Sequence, residues 1–160
     1  MKKLLLAVAA AFAVTAFAGQ AFAQQKKTVL NLSTAKKMAE ACEAKAKVAG
    51  WKLNIAILDT GGELKYFLRM DDAFMGSIQI SQLKAQTSAS FPFSTKMLGE
   101  IAQKIPGIAF VPGLVTFEGG LPIVTGSGEH VGSIGVSGAS AEDDGICAQV
   151  AIDAVKNDLK

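Results

Sequence analysis

From Gly126 to Gly138 the chain reads Gly-Ser-Gly-Glu-His-Val-Gly-Ser-Ile-Gly-Val-Ser-Gly, and this stretch constrains the fold more than any other. Its alternation is that of a strand, yet it carries Gly132, Gly135 and Gly138. Glycine inside a strand marks a bulge or a place where another backbone or a ligand comes close. The strand runs into Ala141-Glu-Asp-Asp-Gly-Ile-Cys-Ala148, where Ser140 and Asp143 have capping-box spacing and carboxylates gather at the positive end of a helix. Strand, turn and helix therefore form one unit that the rest of the chain must meet.

The first 23 residues are set aside before any fold argument. Lys2 and Lys3 precede an apolar run from Leu4 to Phe17, and Ala21-Phe22-Ala23 is a small-x-small cleavage site, the three-part form of a secretory signal peptide. Thr15 interrupts the run and Gly19 and Gln20 follow it, which disfavours a retained membrane span. Cleavage leaves 137 of the 160 residues, the size of one domain with a real core. The 14 basic residues that remain match the 14 acidic ones, so the mature chain is formally neutral and has no electrostatic footprint for nucleic acid. The expected location is periplasmic or secreted, with no membrane span after cleavage.

Residues 24–32 read as a polar tail. Ser33 is an N-cap candidate for a helix from Thr34 to Ala49 that Gly50 stops, with small residues at Ala35, Ala39, Cys42, Ala46 and Ala49 along its apolar stripe. Alternation over 51–58 and 63–70, broken by Asp59-Thr60-Gly61-Gly62, predicts a β-hairpin. Ser77 is expected to cap a helix over 78–88, and Ser94 or Thr95 to open another over 96–105 after the Phe91-Pro92 break. Strands are predicted at 108–111, 114–117, 121–125 and 130–137, and a closing helix at 141–159. With no βαβ repeat, the sheet should be mainly antiparallel with helices packed on it, a single α+β domain. Cys42 and Cys147 fall in the first and last helices, either as a disulfide in an oxidising compartment or as two buried thiols.

Five segments in register over about 90 residues then carry a resemblance: Asp59-Thr-Gly-Gly-Glu-Leu64, Arg69-Met-Asp-Asp-Ala73, Leu83-Lys-Ala-Gln-Thr87, Gly119-Gly-Leu-Pro-Ile123, and Val131 to Gly138 with Cys147-Ala148 downstream. Together they resemble the GlcG/HbpS family of haem-binding proteins, a former domain of unknown function that also occurs as the C-terminal part of PduO. The likeness spans residues 33–155 and implies a GlcG/HbpS-like domain over 33–160. It also implies a profilin-like fold, a central antiparallel β-sheet flanked by helices, assembly into homo-oligomers, and haem or a related tetrapyrrole as ligand in some members. Other relatives accompany glycolate-utilisation genes or belong to corrinoid-pathway proteins. The chain departs from the family's usual glycine-rich loop in having Leu121 between Gly120 and Pro122 and the Phe117-Glu118 pair before the glycines.

Several residues are candidates for chemistry. Arg69, the only arginine, offers a planar fork for a haem propionate or another small carboxylate, against a structural pairing with Asp71 or Asp72 or with a neighbouring protomer. Lys84 and Thr87, three apart on one helix, would make an anion pocket with Arg69 facing the Gly119-Gly120 loop and Glu118, against a solvated helix face. His130, the only histidine, is a candidate axial haem ligand, with Met70, Met75 or a Thr or Tyr oxygen as competitors, although its place after a hairpin turn suits a solvent-exposed sheet edge. Glu129 and His130 alternate to opposite faces as strand neighbours, which weakens them as an acid–base pair. Asp143 and Asp144 suit capping better than cation binding.

Three functions follow as expectations. The first is an exported haem-binding protein serving haem or iron uptake, storage or sensing. The second is an enzyme acting on a small carboxylate or degrading haem, with Arg69 for substrate binding and Glu118, Glu129 or His130 for proton transfer, which requires those side chains to converge on one pocket. The third is a non-catalytic oligomeric accessory protein, in which strand glycines and small-residue helices serve subunit packing.

Overall fold

The computed structural model describes residues 27–160, so the segment read as a signal peptide, residues 1–23, lies outside the described residues. The element order is helix α1 (Leu32–Ala49), strands β1 (Asn54–Asp59) and β2 (Leu64–Arg69), helices α2 (Gly76–Ser90) and α3 (Thr95–Lys104), a 3-10 turn (Pro106–Phe110), strands β3 (Gly120–Val124) and β4 (His130–Ser137), and helix α4 (Ala141–Asp153). The four strands form one antiparallel sheet in the order β2-β1-β4-β3. Helices cover both faces, and the α+β expectation holds.

One face carries the main core. Ile55 and Ile57 of β1 and Ile134 and Val136 of β4 pack under α1 and α4, whose small residues Ala35, Ala39, Ala46, Ala148 and Ala151 let the two helices lie close to each other and to the sheet. Cys42 and Cys147 face each other in that layer and form a disulfide with a Cα–Cα distance of 5.0 Å, resolving the open choice between bond and free thiols. Leu30 is buried in the same core and Asn31 caps α1 through Thr34 N, 2.8 Å from its side-chain oxygen. The ordered domain thus begins before Ser33, and Asn31 takes the capping role expected of Ser33.

The opposite face is thinner. Helix α2 lies directly on β4, β1 and β3, and the glycine strand explains how. A Cβ on Gly135 would collide with the carbonyl of Ser81 and the amide of Ala85. Ser133 meanwhile donates its hydroxyl to the Ala85 carbonyl at 2.8 Å. The close backbone approach read from the strand glycines is therefore made by a helix, and it fixes α2 over the middle of the sheet.

Other boundaries shift for identifiable reasons. Helix α2 starts at Gly76 after Met75 with no side-chain cap, and Ser77 is buried inside its first turn. Residues 108–110 form part of the 3-10 turn, which Val111 caps, and 114–117 make no ladder, so neither expected strand exists. Pro106 presets the turn at its first position, and Pro112-Gly113 cuts the apolar run before it can pair. Helix α4 stops at Asp153, after which the chain turns so that Leu159 accepts a hydrogen bond from Gly126 N at 2.8 Å. Ser140 does cap α4, accepting from Asp143 N at 3.1 Å. Among the described residues no helix is long and apolar enough to cross a membrane.

Candidate functional site

The expected anion pocket of Arg69, Lys84, Thr87, Glu118, Gly119 and Gly120 splits into two regions. Lys84, Glu118, Gly119 and Gly120 come together where β3 begins. Lys84 is not on a solvated face, for its side chain has no exposed surface. Its ammonium donates to Val136 O at 2.9 Å and Asp144 Oδ2 at 2.7 Å, and the Phe117 ring lies 4.8 Å away. Asp144 Oδ1 accepts from Ala139 N at 3.1 Å. Burial lowers the Lys84 pKa and raises that of Asp144, each opposed by the partner's charge and hydrogen bond.

Gly119 has a left-handed φ of 124°, and any Cβ there would run into Lys84 Nζ, Val136 O and Asp144. Gly120 is pinned by Thr95, whose hydroxyl accepts from Gly120 N at 2.9 Å. Thr87, also buried, accepts from Val115 N at 3.0 Å and donates to Leu83 O at 2.8 Å, holding the loop that leads into this corner. These groups are satisfied by one another. Their surroundings make them a structural joint between α2, α4 and the β3 entry.

Outside that joint lies a depression of about 390 Å³ lined by Lys96, Glu100, Thr116, Phe117 and Glu118 among others. Lys96 closes over Glu118 at 3.0 Å, and the carboxylate raises the lysine pKa.

Arg69 sits at the other edge of the sheet. Strand β2 and strand β3 are separated by two strands, about 14 Å at the usual spacing. Its guanidinium is exposed and makes one long hydrogen bond, Nη2 to Ala73 O at 3.4 Å. Among the described residues no carboxylate lies within ion-pair distance of it, so the expected structural pairing with Asp71 or Asp72 is absent. Met70, next in sequence, is buried in the core with α1. His130 begins β4 opposite Val124 and is half-buried, with no partner for Nε2 among the described residues. It lies five residues from Gly135, the partner of Gly120, or about 17 Å along the strand. Arg69, Glu118, Glu129 and His130 therefore do not converge on one pocket.

Sequence reasoning missed the groove beside Arg69's strand. Helix α2 stops short of β2, leaving a cleft of about 400 Å³ lined by Leu58, Gly62, Glu63, Leu64, Gln79, Gln82, Leu83 and Gln86. Phe67 continues the apolar floor, since it pairs with Ala56 and packs against Ala56, Leu58 and Ala85. Strand alternation puts Arg69 on the same face as Phe67, where its guanidinium reaches Ala73 O in the connection between β2 and α2. The signal was present in the sequence as Gln79, Gln82 and Gln86 at helical spacing beside Leu83.

Comparison with known proteins places this arrangement. The chain is 35% identical over 136 residues to an uncharacterized 15.0 kDa protein from the dhaT-dhaS intergenic region of Citrobacter freundii, covering 81% of this chain and 94% of that one. Its fold matches the crystal structure of Klebsiella pneumoniae protein ORFY with a TM-score of 0.78 at 30% identity, over 85% of this chain and 97% of that one. It also matches the crystal structure of a PduOC:heme complex with a TM-score of 0.74 at 27% identity, over 79% and 95% of the two chains. Residues 30–153 match the family model described as haem degrading protein HbpS-like, and the chain belongs to that HbpS-like family.

Proposed function

We propose that this protein is an exported haem- or tetrapyrrole-binding protein, acting in the periplasm or outside the cell in haem or iron uptake, storage or sensing. The family and the haem complex of a structural relative support the ligand class. The observation that carries the reading for this chain is the α2–β2 groove. Its volume lies in the range of small-ligand sites, roughly 300–1,000 Å³, and Leu58, Leu64 and Leu83 give its lining an apolar part beside Gln79, Gln82 and Gln86. Exposed Phe110, Ile105, Val111 and Met97 on the α3 side suit contact between subunits of a homo-oligomer.

Haem degradation is named in the description of the family, while the proton-transfer candidates Glu118, Glu129 and His130 of this chain are dispersed as described above. Titrating haemin into the purified mature protein tests the proposal. A saturable shift of the Soret band at stoichiometric haemin is expected, and an unshifted spectrum would overturn it.

A further inference from the structure

The helical layers on the two faces of the sheet differ in kind. Under α1 and α4 the contact is apolar and cross-linked, with Ile55, Ile57, Ile134 and Val136 against small helix residues and the Cys42–Cys147 disulfide holding the helices together. Under α2 the buried apolar contact shrinks to Ala56, Leu58 and Ala85, with Phe67 at its margin. The large apolar side chains of α2, Ile78, Ile80 and Leu83, are only half-buried and belong to neither cluster. What the helix buries instead is polar: Ser77, Ser81 and Ser88 at helical spacing, over the strand face that carries Asn54, Ser133 and Ser137.

The ties across this layer are ones that water can replace. Ser133 donates to Ala85 O, and Lys84 donates to Val136 O and Asp144 Oδ2. The Ser88 hydroxyl and Asn54 Oδ1 are fully buried and have no hydrogen-bond partner among the described residues, so closing the layer costs them their hydration. Withdrawing both partners of a buried ion pair into water returns the desolvation cost of each. Lifting α2 therefore gives up little apolar burial and rehydrates groups that the closed layer leaves dry, whereas opening the α1–α4 layer gives up the main core. We infer that α2 is a hinged wall of the α2–β2 groove: it detaches from the sheet as one unit, between the left-handed turn at Asp72 (φ 61°) and the Phe91-Pro92 break, while α1, α4 and the strands stay folded. Gln79, Gln82, Leu83 and Gln86 ride on the helix, so its opening widens the groove. The opening belongs to the free protein and stands apart from the choice of ligand.

Native-state hydrogen exchange of the mature protein at rising, sub-denaturing urea tests this, read at the α2 amides from Lys84 to Ser88 and the α1 amides from Met38 to Cys42. Expected is exchange at least about tenfold faster in α2, with a shallower urea dependence because the opening exposes less surface than global unfolding. Ile57→Val, which thins the α1 layer without touching α2, should speed α1 exchange by about twofold to tenfold and leave α2 exchange unchanged. Ser88→Ala, which removes a buried hydroxyl that has no partner, should slow α2 exchange by about tenfold. Equal protection and equal urea dependence in the two helices, or an Ile57→Val variant that speeds both alike, would show one cooperative unit and overturn the inference. Ser88→Ala exchanging as fast as wild type would overturn the polar layer as the cause of the opening.

Discussion

Lys84 Nζ lies 2.7 Å from Asp144 Oδ2, and both side chains are buried, so a helix on one face of the sheet is tied to a helix on the other. The contact exists because Gly119 presents no Cβ where the ammonium passes. Removing one partner of a buried pair strands the other charge, at a cost of about 3–5 kcal/mol, whereas replacing both with apolar residues is often neutral or stabilising. Lys84→Met should therefore lower stability by about 3 kcal/mol or more, and Lys84→Met with Asp144→Leu should recover most of the loss. Urea unfolding of the two variants checks this. The double variant should bind haemin like wild type, because Lys84 is committed to Asp144 and Val136 rather than to a ligand.

The middle of the glycine strand gives the next prediction. An alanine at Gly135 would place its methyl against the Ser81 carbonyl and Ala85 amide, both backbone atoms of α2 that cannot swing aside. The helix must lift off the sheet, and overpacking of this kind costs about 1–3 kcal/mol or more. Gly76→Ala, at a position with open space around it, is the control and should leave stability within about 0.5 kcal/mol. Equal thermal midpoints for the two variants would contradict the packing described.

At the N-terminus, Glu129 accepts from Thr28 N at 3.1 Å, and this hydrogen bond holds its pKa below the ordinary glutamate range. A carboxylate depressed in the folded state contributes stability that is present above its unfolded pKa and is lost as pH falls through the folded value. The Thr28 amide should therefore keep its hydrogen-bonded chemical shift through the ordinary glutamate range and lose it only at lower pH. Glu129→Gln should remove that transition. An NMR titration that finds the Thr28 shift independent of Glu129 would refute the contact.

Local signals carried much of this fold into the sequence. Alternation and the Asp59–Gly62 turn announced β1 and β2, Gly50 ended α1, and Ser140 opened α4. The residues from Ile108 to Phe117 misled because their short apolar runs have strand composition, while whether they pair depends on a partner strand that only the assembled sheet could supply. Lys84 misled for a related reason. Its helix position beside Leu83 fits a surface, and only the arrival of Asp144 and Gly119 from distant parts of the chain buries it. The freedom of Arg69 from Asp71 and Asp72 was not legible in the sequence. That depends on the turn from Met70 to Ala73, in which Asp72 adopts a φ of 61°.

The disulfide closes a loop across 105 residues and joins α1 to the helix that carries Asp144, so its loss should reach the sheet's other face. Neither cysteine has exposed surface, hence reductant alone should act slowly on the native protein and fast once mild denaturant opens the α1–α4 layer. A disulfide closing a long loop stabilises typically by about 2–4 kcal/mol. The pair Cys42→Ala and Cys147→Ala should fall in that range, since alanine fills the small-residue stripe with little lost packing and isolates the effect of the cross-link. Denaturant unfolding of oxidised wild type, fully reduced wild type and the double alanine variant makes the comparison. The two forms lacking the bond should unfold at similar, lower midpoints, and a reduced protein as stable as the oxidised one would show that packing of α1 on α4 suffices without the bond.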